Sequence, residues 1–239
     1  MSLMSQPGKV YLIPTVLSAD ALFSLPAYIT DTVRRLRIFY VENERTARRF
    51  LKALDKNIDI DALQLLPMNE HHPPDLALAR KFLQEGKHIG VISEAGCPAI
   101  ADPGQLVVQT AHSLGATVVP LVGPNSMLLA LMASGMNGQH FQFSGYLPVK
   151  PLERAQAIRE LEATSARKSQ TQLFIEAPYR NNQVLKDILA NCKDNTLLCV
   201  AADLTAPTEY IRTQTVAQWK KQTGADFHKR PAIFLLYAG

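Results

Sequence analysis

Ser93-Glu94-Ala95-Gly96-Cys97-Pro98-Ala99-Ile100-Ala101-Asp102-Pro103-Gly104 follows an apolar run, Ile89-Gly90-Val91-Ile92, that reads as a buried strand. It precedes Leu106, Val107, Thr110, Ala111 and Leu114, whose spacing is that of one helix face. A strand-to-helix loop of this kind lies at the carboxyl end of a parallel sheet, where open α/β folds bind ligands. Gly96 and Gly104 permit backbone geometry closed to other residues, and Pro98 and Pro103 stiffen the connection. A rigid loop with no ligand is the alternative reading of the same residues, because Gly and Pro are common loop punctuation.

Outward from that loop the pattern repeats. Val10 to Ile13, Ile38 to Val41, Leu63 to Leu66, Ile89 to Ile92 and Thr117 to Val122 read as short strands. Helices separate several of them, the clearest with Ala47, Phe50, Leu51 and Leu54 on one face. Alternation of this sort predicts a parallel sheet with right-handed crossovers. Gly123-Pro124-Asn125 breaks the pattern, and a short apolar helix from Ser126 to Ala133 follows. A second set of elements then begins. Strands are predicted at Phe141 to Ser144, Leu173 to Ile175, Leu197 to Ala202 and Ile233 to Tyr237. Helices are predicted from Pro151, with Leu152, Ala155, Ile158 and Leu161 inward, and over Tyr179 to Asn191 and Thr215 to Lys221. The expected organisation is two α/β domains, residues 1–122 and 123–239.

Bulk properties narrow the function classes. The 239 residues are 47% hydrophobic, enough for a packed core, and the formal net charge is +4. That mild basicity suits an anionic partner without identifying one. Cys97, Cys192 and Cys199 are odd in number and lack C-x-x-C spacing, which argues against a disulfide framework or a zinc site and fits a reducing cytoplasm. Met1 to Gly8 shows no secretory pattern, and Met1-Ser2-Leu3 ahead of Met4 reads as an addition. The apolar region Ala116 to Met136 is broken by Pro120, Gly123, Pro124 and Asn125, so no membrane span is expected.

The strand-end loops carry the candidate chemistry: Pro14-Thr15, the Ser93 to Gly104 loop, Gly123 to Ser126, and Phe174-Ile175-Glu176-Ala177-Pro178-Tyr179-Arg180. Together they resemble ribosomal RNA small subunit methyltransferase I, within the tetrapyrrole methylase superfamily. Ser93 to Gly104 is similar to that family's S-D-A-G-T-P-x-I-S-D-P-G, and Phe174 to Arg180 to its F-Y-E-A-P-H-R. Val122 to Ser126, Ala133-Ser134-Gly135 and Phe143-Ser144-Gly145-Tyr146-Leu147-Pro148 resemble P-G-P-(S/C)-A, S-A-S-G and F-x-G-F-L-P. Glu42-Asn43-Glu44-Arg45-Thr46 looks like a diverged E-D-T-R. The first loop departs: the family's T-P-I-G-N is replaced by Ile13-Pro14-Thr15-Val16-Leu17, so its Gly and Asn are missing. The family's H-x-H-N appears only as Asn69-Glu70-His71-His72, and Lys229-Arg230-Pro231-Ala232 stands in place of its late G-E.

The resemblance implies a tetrapyrrole methylase-like fold, a homodimer, and S-adenosyl-L-methionine held in a cleft between two α/β domains. It implies ribose 2′-O-methylation of a cytidine in small-subunit ribosomal RNA. The alternatives are methylation of a tetrapyrrole or other small molecule, and a catalytically impaired binding protein. The implied cofactor contacts are Pro14, Glu94, Ala95, Gly96, Pro98, Ile100, Ala101, Asp102, Gly123, Pro124, Asn125, Ser126, Glu176 and Ala177. Asp102 has a helix-capping alternative, and Glu176 a salt-bridge one. No catalytic base and no metal site is assigned. Candidate substrate contacts are Arg45, Arg48, Arg49, His71 and Arg180. Between Arg34 and Lys52 lie seven basic and two acidic residues, a phosphate-contacting edge or a solvated helix face. Apolar Met127, Leu128, Leu129 and Met132 are the candidate dimer surface.

Overall fold

The computed structural model describes residues 6–239, so the reading of Met1-Ser2-Leu3 lies outside the described residues. The chain divides into two compact units that meet between Asn125 and Ser126.

The first unit runs β1 (Val10–Leu12), α1 (Tyr28–Arg34), β2 (Ile38–Val41), α2 (Glu44–Leu54), β3 (Gln64–Pro67), α3 (Leu76–Gln84), β4 (Ile89–Ile92), α4 (Gln105–Ser113) and β5 (Val118–Pro120). Its sheet has the order β3-β2-β4-β1-β5, and every pairing is parallel. Both faces are covered, which is why β2 and β4 read as unbroken apolar runs. Ile38, Tyr40, Ile89 and Val91 pack on one side with Ala79, Phe82 and Leu83 of α3 and Val107 and Ala111 of α4. Phe39, Val41 and Ile92 pack on the other with Ile29 and Val33 of α1 and Ala47, Phe50 and Leu51 of α2. Gly90 belongs to this packing: a Cβ there would lie 2.5 Å from Phe39 Cδ1. Asn43 caps α2, its Oδ1 accepting from the Arg45 and Thr46 amides at 3.0 and 3.2 Å.

The second unit runs α5 (Ser126–Ser134), β6 (Phe141–Tyr146), α6 (Pro151–Lys168), β7 (Thr171–Ile175), α7 (Asn181–Asn191), β8 (Leu197–Ala202), β9 (Tyr210–Thr215), α8 (Val216–Lys221) and β10 (Ala232–Tyr237). The sheet order is β6-β7-β10-β8-β9. Only β6 and β7 are parallel; β10 lies antiparallel to both β7 and β8, and β8 to β9. One face carries Phe174, Val200, Phe234 and Leu236 against Ile158 of α6, Val184 and Ile188 of α7 and Trp219 of α8. The Trp219 indole donates to the Leu198 carbonyl at 2.9 Å. Helix α5 packs on β8, β9 and β10.

The structure corrects several expectations. The predicted strand Thr117 to Val122 pairs only over Val118–Pro120, and Val122 is exposed. Leu106 is exposed rather than inward. Strand β9 has no sequence prediction behind it, since Tyr210–Thr215 mixes Arg, Thr and Gln on a sheet edge. In α6, Leu152 is exposed, and the buried positions are Arg154, Ile158, Glu162 and Ser165. The stripe is rotated because both ionic side chains have internal partners. Arg154 donates to Asp187 at 2.6 Å and to the Pro148 and Val149 carbonyls at 3.2 and 2.6 Å. Glu162 accepts from the Lys193 amide at 2.7 Å and from the Thr196 hydroxyl.

Arg154→Ala removes a buried cation and leaves Asp187 and two carbonyls without their donor. A loss of about 2–4 kcal/mol is expected in urea unfolding, whereas Leu152→Ala, on the exposed side of the same turn, should cost under about 0.5 kcal/mol.

Candidate functional site

In the first unit, the three expected cofactor loops meet at the carboxyl edge of the parallel sheet. The loop after β1 hydrogen-bonds the loop after β4: the Thr15 amide donates to the Gly96 carbonyl at 2.8 Å, and the buried Thr15 hydroxyl lies 3.5 Å from the Ser93 carbonyl. The loop after β5 closes on both. A Cβ at Gly123 would lie 2.2 Å from Pro14 Cβ, so only glycine allows this approach. A Cβ at Gly96 would sit 3.4 Å from the Pro124 carbonyl oxygen and 3.2 Å from the Leu17 side chain. The Cys97 thiol lies 3.5 Å from that same carbonyl, and its pKa is raised by burial.

The backbone between Gly96 and Gly104 is strained. Gly96 has φ +72°, and Ala99 and Ala101, which carry Cβ atoms, have φ +66° and +60°. Left-handed non-glycine residues are uncommon, and their clustering is a mark of sites rather than of ordinary loops. Pro14, Gly96, Pro98 and Pro124 are buried, while Glu94, Ala95, Ile100 and Ala101 are exposed along the rim.

Three carboxyl groups gather here. The Glu42 carboxylate accepts from the Glu94 amide at 2.9 Å, and the Thr46 hydroxyl donates to Glu94 at 3.4 Å. Burial raises the Glu42 carboxyl above its ordinary range; the Glu94 amide opposes this and the Glu94 charge adds to it. Burial, reinforced by the Glu42 charge, pushes Asp102 up to about 6. Glu42 is a member that the sequence reading did not select; its signal was its position directly after β2. The arrangement favours a positively charged ligand, whose arrival would favour the ionised carboxylates.

The remaining expected residues lie elsewhere in the chain. Asn125 closes the first unit, and Ser126 opens α5 of the second. In the second unit Glu176 is buried directly after β7, with one oxygen 2.8 Å from Arg180 and the other accepting the Ala177 amide at 2.8 Å. Arg180, a candidate substrate contact, is thus paired with Glu176. Arg45, Arg48 and Arg49 are exposed on α2 opposite its buried face, with Arg48 paired to Glu44. His71 is exposed beside Glu70, its Nε2 3.4 Å from the carboxylate. Cys97, Cys192 and Cys199 are all free thiols. Among the described residues no His, Cys, Asp and Glu side chains are grouped to hold a metal ion, and no helix is long and apolar enough to cross a membrane.

Two outcomes follow from this geometry. Folded Asp102 holds its proton up to about pH 6, whereas the unfolded chain releases it near 3.8, so its contribution to stability is present below pH 4 and lost as pH rises towards 6. In Asp102→Asn that decline should disappear from a series of urea midpoints measured across this range. Gly123→Ala should destabilise by about 1–3 kcal/mol through overpacking on Pro14, measured the same way.

No family model matches the chain. Curated relatives do, each named "Ribosomal RNA small subunit methyltransferase I". The protein from Escherichia coli O157:H7 is 30% identical over 229 residues, 96% of this chain and 77% of its own length. That from Buchnera aphidicola subsp. Schizaphis graminum is 27% identical over 240 residues, 99% of this chain and 80% of its own. Among solved structures, the methyltransferase CobJ aligns over 98% of this chain and 94% of its own, with a TM-score of 0.61 at 16% identity. Diphthine synthase aligns over 96% of this chain and 89% of its own, with a TM-score of 0.64 at 12% identity. These likenesses carry the fold, two α/β units of the tetrapyrrole methylase kind, and the sequence relationship carries the family. The chain is a methyltransferase belonging to the ribosomal RNA small subunit methyltransferase I family.

Proposed function

We propose that this protein methylates the 2′-hydroxyl of a cytidine ribose in small-subunit ribosomal RNA, with S-adenosylmethionine as donor. The relationship over 96% of the chain to a relative named for ribosomal RNA small subunit methylation is the observation that supports the ribosomal RNA substrate, and the resemblance of the strand-end motifs to that family implies the ribose position. The strand-end loops of the first unit suit the cofactor. Glu42, Glu94 and Asp102 offer negative charge to a sulfonium or ammonium group, and Gly96 and Gly123 let the three loops pack closely beside them. Within the first unit, contacts are assigned to Pro14, Glu94 to Gly96, Pro98, Ile100 to Asp102 and Gly123 to Asn125.

When bound, the donor supplies an electrophilic methyl group. The chain's own work is orientation and charge: a rigid, strained loop fixes the position of the ligand, which is most of what an in-line transfer requires. Arg45, Arg48 and Arg49 present cations to RNA phosphates, and α5 exposes Leu128 and Met132 for a homodimer contact. A ribosomal RNA substrate would place the protein in the cytoplasm.

Calorimetry should show S-adenosylmethionine binding to the parent and at least about tenfold weaker binding to Gly96→Val, whose Cβ is disfavoured at φ +72° and meets Leu17. No binding by the parent at millimolar ligand would overturn the assignment. The triple variant Arg45→Ala, Arg48→Ala, Arg49→Ala should bind RNA more weakly and with a shallower salt dependence, its cofactor affinity unchanged. Unchanged RNA binding would reduce α2 to a solvated face, and methylation of a tetrapyrrole but not of RNA would replace the substrate assignment. Light scattering at micromolar concentration should give a dimer mass.

A further inference from the structure

The second unit carries a surface patch that the cofactor loops do not account for. Tyr146, Val149, Leu152 and Tyr179 are 65%, 72%, 87% and 64% exposed. They lie on two segments that the structure ties together. Strand β6 pairs with β7 up to Tyr146 opposite Ile175. Arg180 reaches from the next turn to the Pro148 carbonyl at 3.4 Å, and Arg154 holds the Pro148 and Val149 carbonyls from below. The Lys229 amide donates to the Pro178 carbonyl at 2.9 Å, which brings an exposed lysine to the same turn. Lys150, also exposed, sits between Val149 and the start of α6.

We propose that Tyr146 and Tyr179 form a stacking platform for unpaired bases of an RNA substrate, with Lys150 and Lys229 contacting the adjoining phosphates. This rests on the RNA reading above. Exposed tyrosine rings joined to lysines are the combination that single-stranded nucleic acid requires, a π-face for each base and a cation for the backbone. The charge balance supports this occupant. Glu176 is buried on Arg180, while Glu153 lies 2.9 Å from Lys150 in an exposed pair that a phosphate can replace, and Lys229 is exposed on the adjoining turn. A self-contact through this patch would instead bring the lysines of two copies into one buried area. The platform is also continuous with Glu176-Ala177, a segment that the family resemblance marks as functional: Tyr179 follows Ala177 by two residues. The backbone beneath both rings is held by strand pairing and hydrogen bonds, so little backbone freedom is lost when a base stacks on them.

The test uses the full chain and a short, unstructured, fluorescently labelled oligoribonucleotide, with a duplex of the same sequence as control. Tyr146→Ala and Tyr179→Ala should each weaken single-strand binding roughly five- to a hundredfold and leave duplex binding within about twofold. Tyr146→Phe and Tyr179→Trp should retain it, because the π-face remains. Cofactor binding by calorimetry should be unchanged in all four. If the parent binds and methylates RNA and the alanine variants behave like it, the platform is wrong while the substrate reading stands. If the parent binds no RNA, the substrate reading fails and takes the platform with it. Loss of dimer mass in the alanine variants would show that the patch is a contact between copies and would overturn the proposal.

Discussion

Gly123 lies so close to the Pro14 ring that no side chain fits between them, and the first unit is organised around that contact. It brings the end of the last strand of the parallel sheet onto the loop that leaves the first. The Thr15 amide then fixes the Gly96 carbonyl, and Pro124 comes down on Gly96 and Cys97. Three loops from three strands thus share one rigid junction. The left-handed Ala99 and Ala101 persist because this junction and the Ala99 amide bond to the Pro103 carbonyl at 3.1 Å constrain the chain between them.

Three carboxylates of the second unit are matched by arginines, and three of the first are not. In the second, Asp187 has Arg154, Glu176 has Arg180, and Asp203 has Arg230 at 2.7 Å. Each pair connects segments distant in sequence or braces a turn, and each carboxylate has an arginine beside it. In the first unit Glu42, Glu94 and Asp102 have amides and hydroxyls for neighbours, and burial, with a smaller contribution from neighbouring carboxylates, raises Glu42 and Asp102. Matched ions hold a shape. Glu162 of the second unit is likewise held by an amide and a hydroxyl, but it stands alone on a helix, whereas Glu42, Glu94 and Asp102 gather at strand-end loops and have charge to offer a ligand.

Legibility in the sequence followed the strength of the local signal. Strands β2, β4 and β8 were readable to the residue, because strands covered on both faces are continuous apolar runs. The loop from Ser93 to Gly104 was readable because Gly and Pro mark its turns, and the motif match supplied the family. Strand β9 was hidden because an edge strand has only one neighbour to satisfy and tolerates Arg212 and Gln214. Helix α6 was misphased because an amphipathic reading excludes Arg and Glu from the interior, whereas Arg154 and Glu162 are buried by serving carbonyls and amides of neighbouring segments. The Glu176–Arg180 pair, four residues apart, was open to the salt-bridge reading, whereas the gathering of Glu42 with Glu94 and Asp102 depends on three-dimensional neighbours that spacing along the chain does not encode.

Strand β10 occupies the centre of the second sheet, between β7 and β8, although it is the last of that sheet's strands in the chain. During synthesis the parallel sheet can close once β5 has emerged, but β7 and β8 must wait with open edges until Ala232–Tyr237 arrives to pair with both. The second unit therefore folds only when its final strand is available, and its half-built form presents Leu173, Phe174, Leu198 and Val200 beside unpaired amides, the combination that recruits chaperones or aggregates.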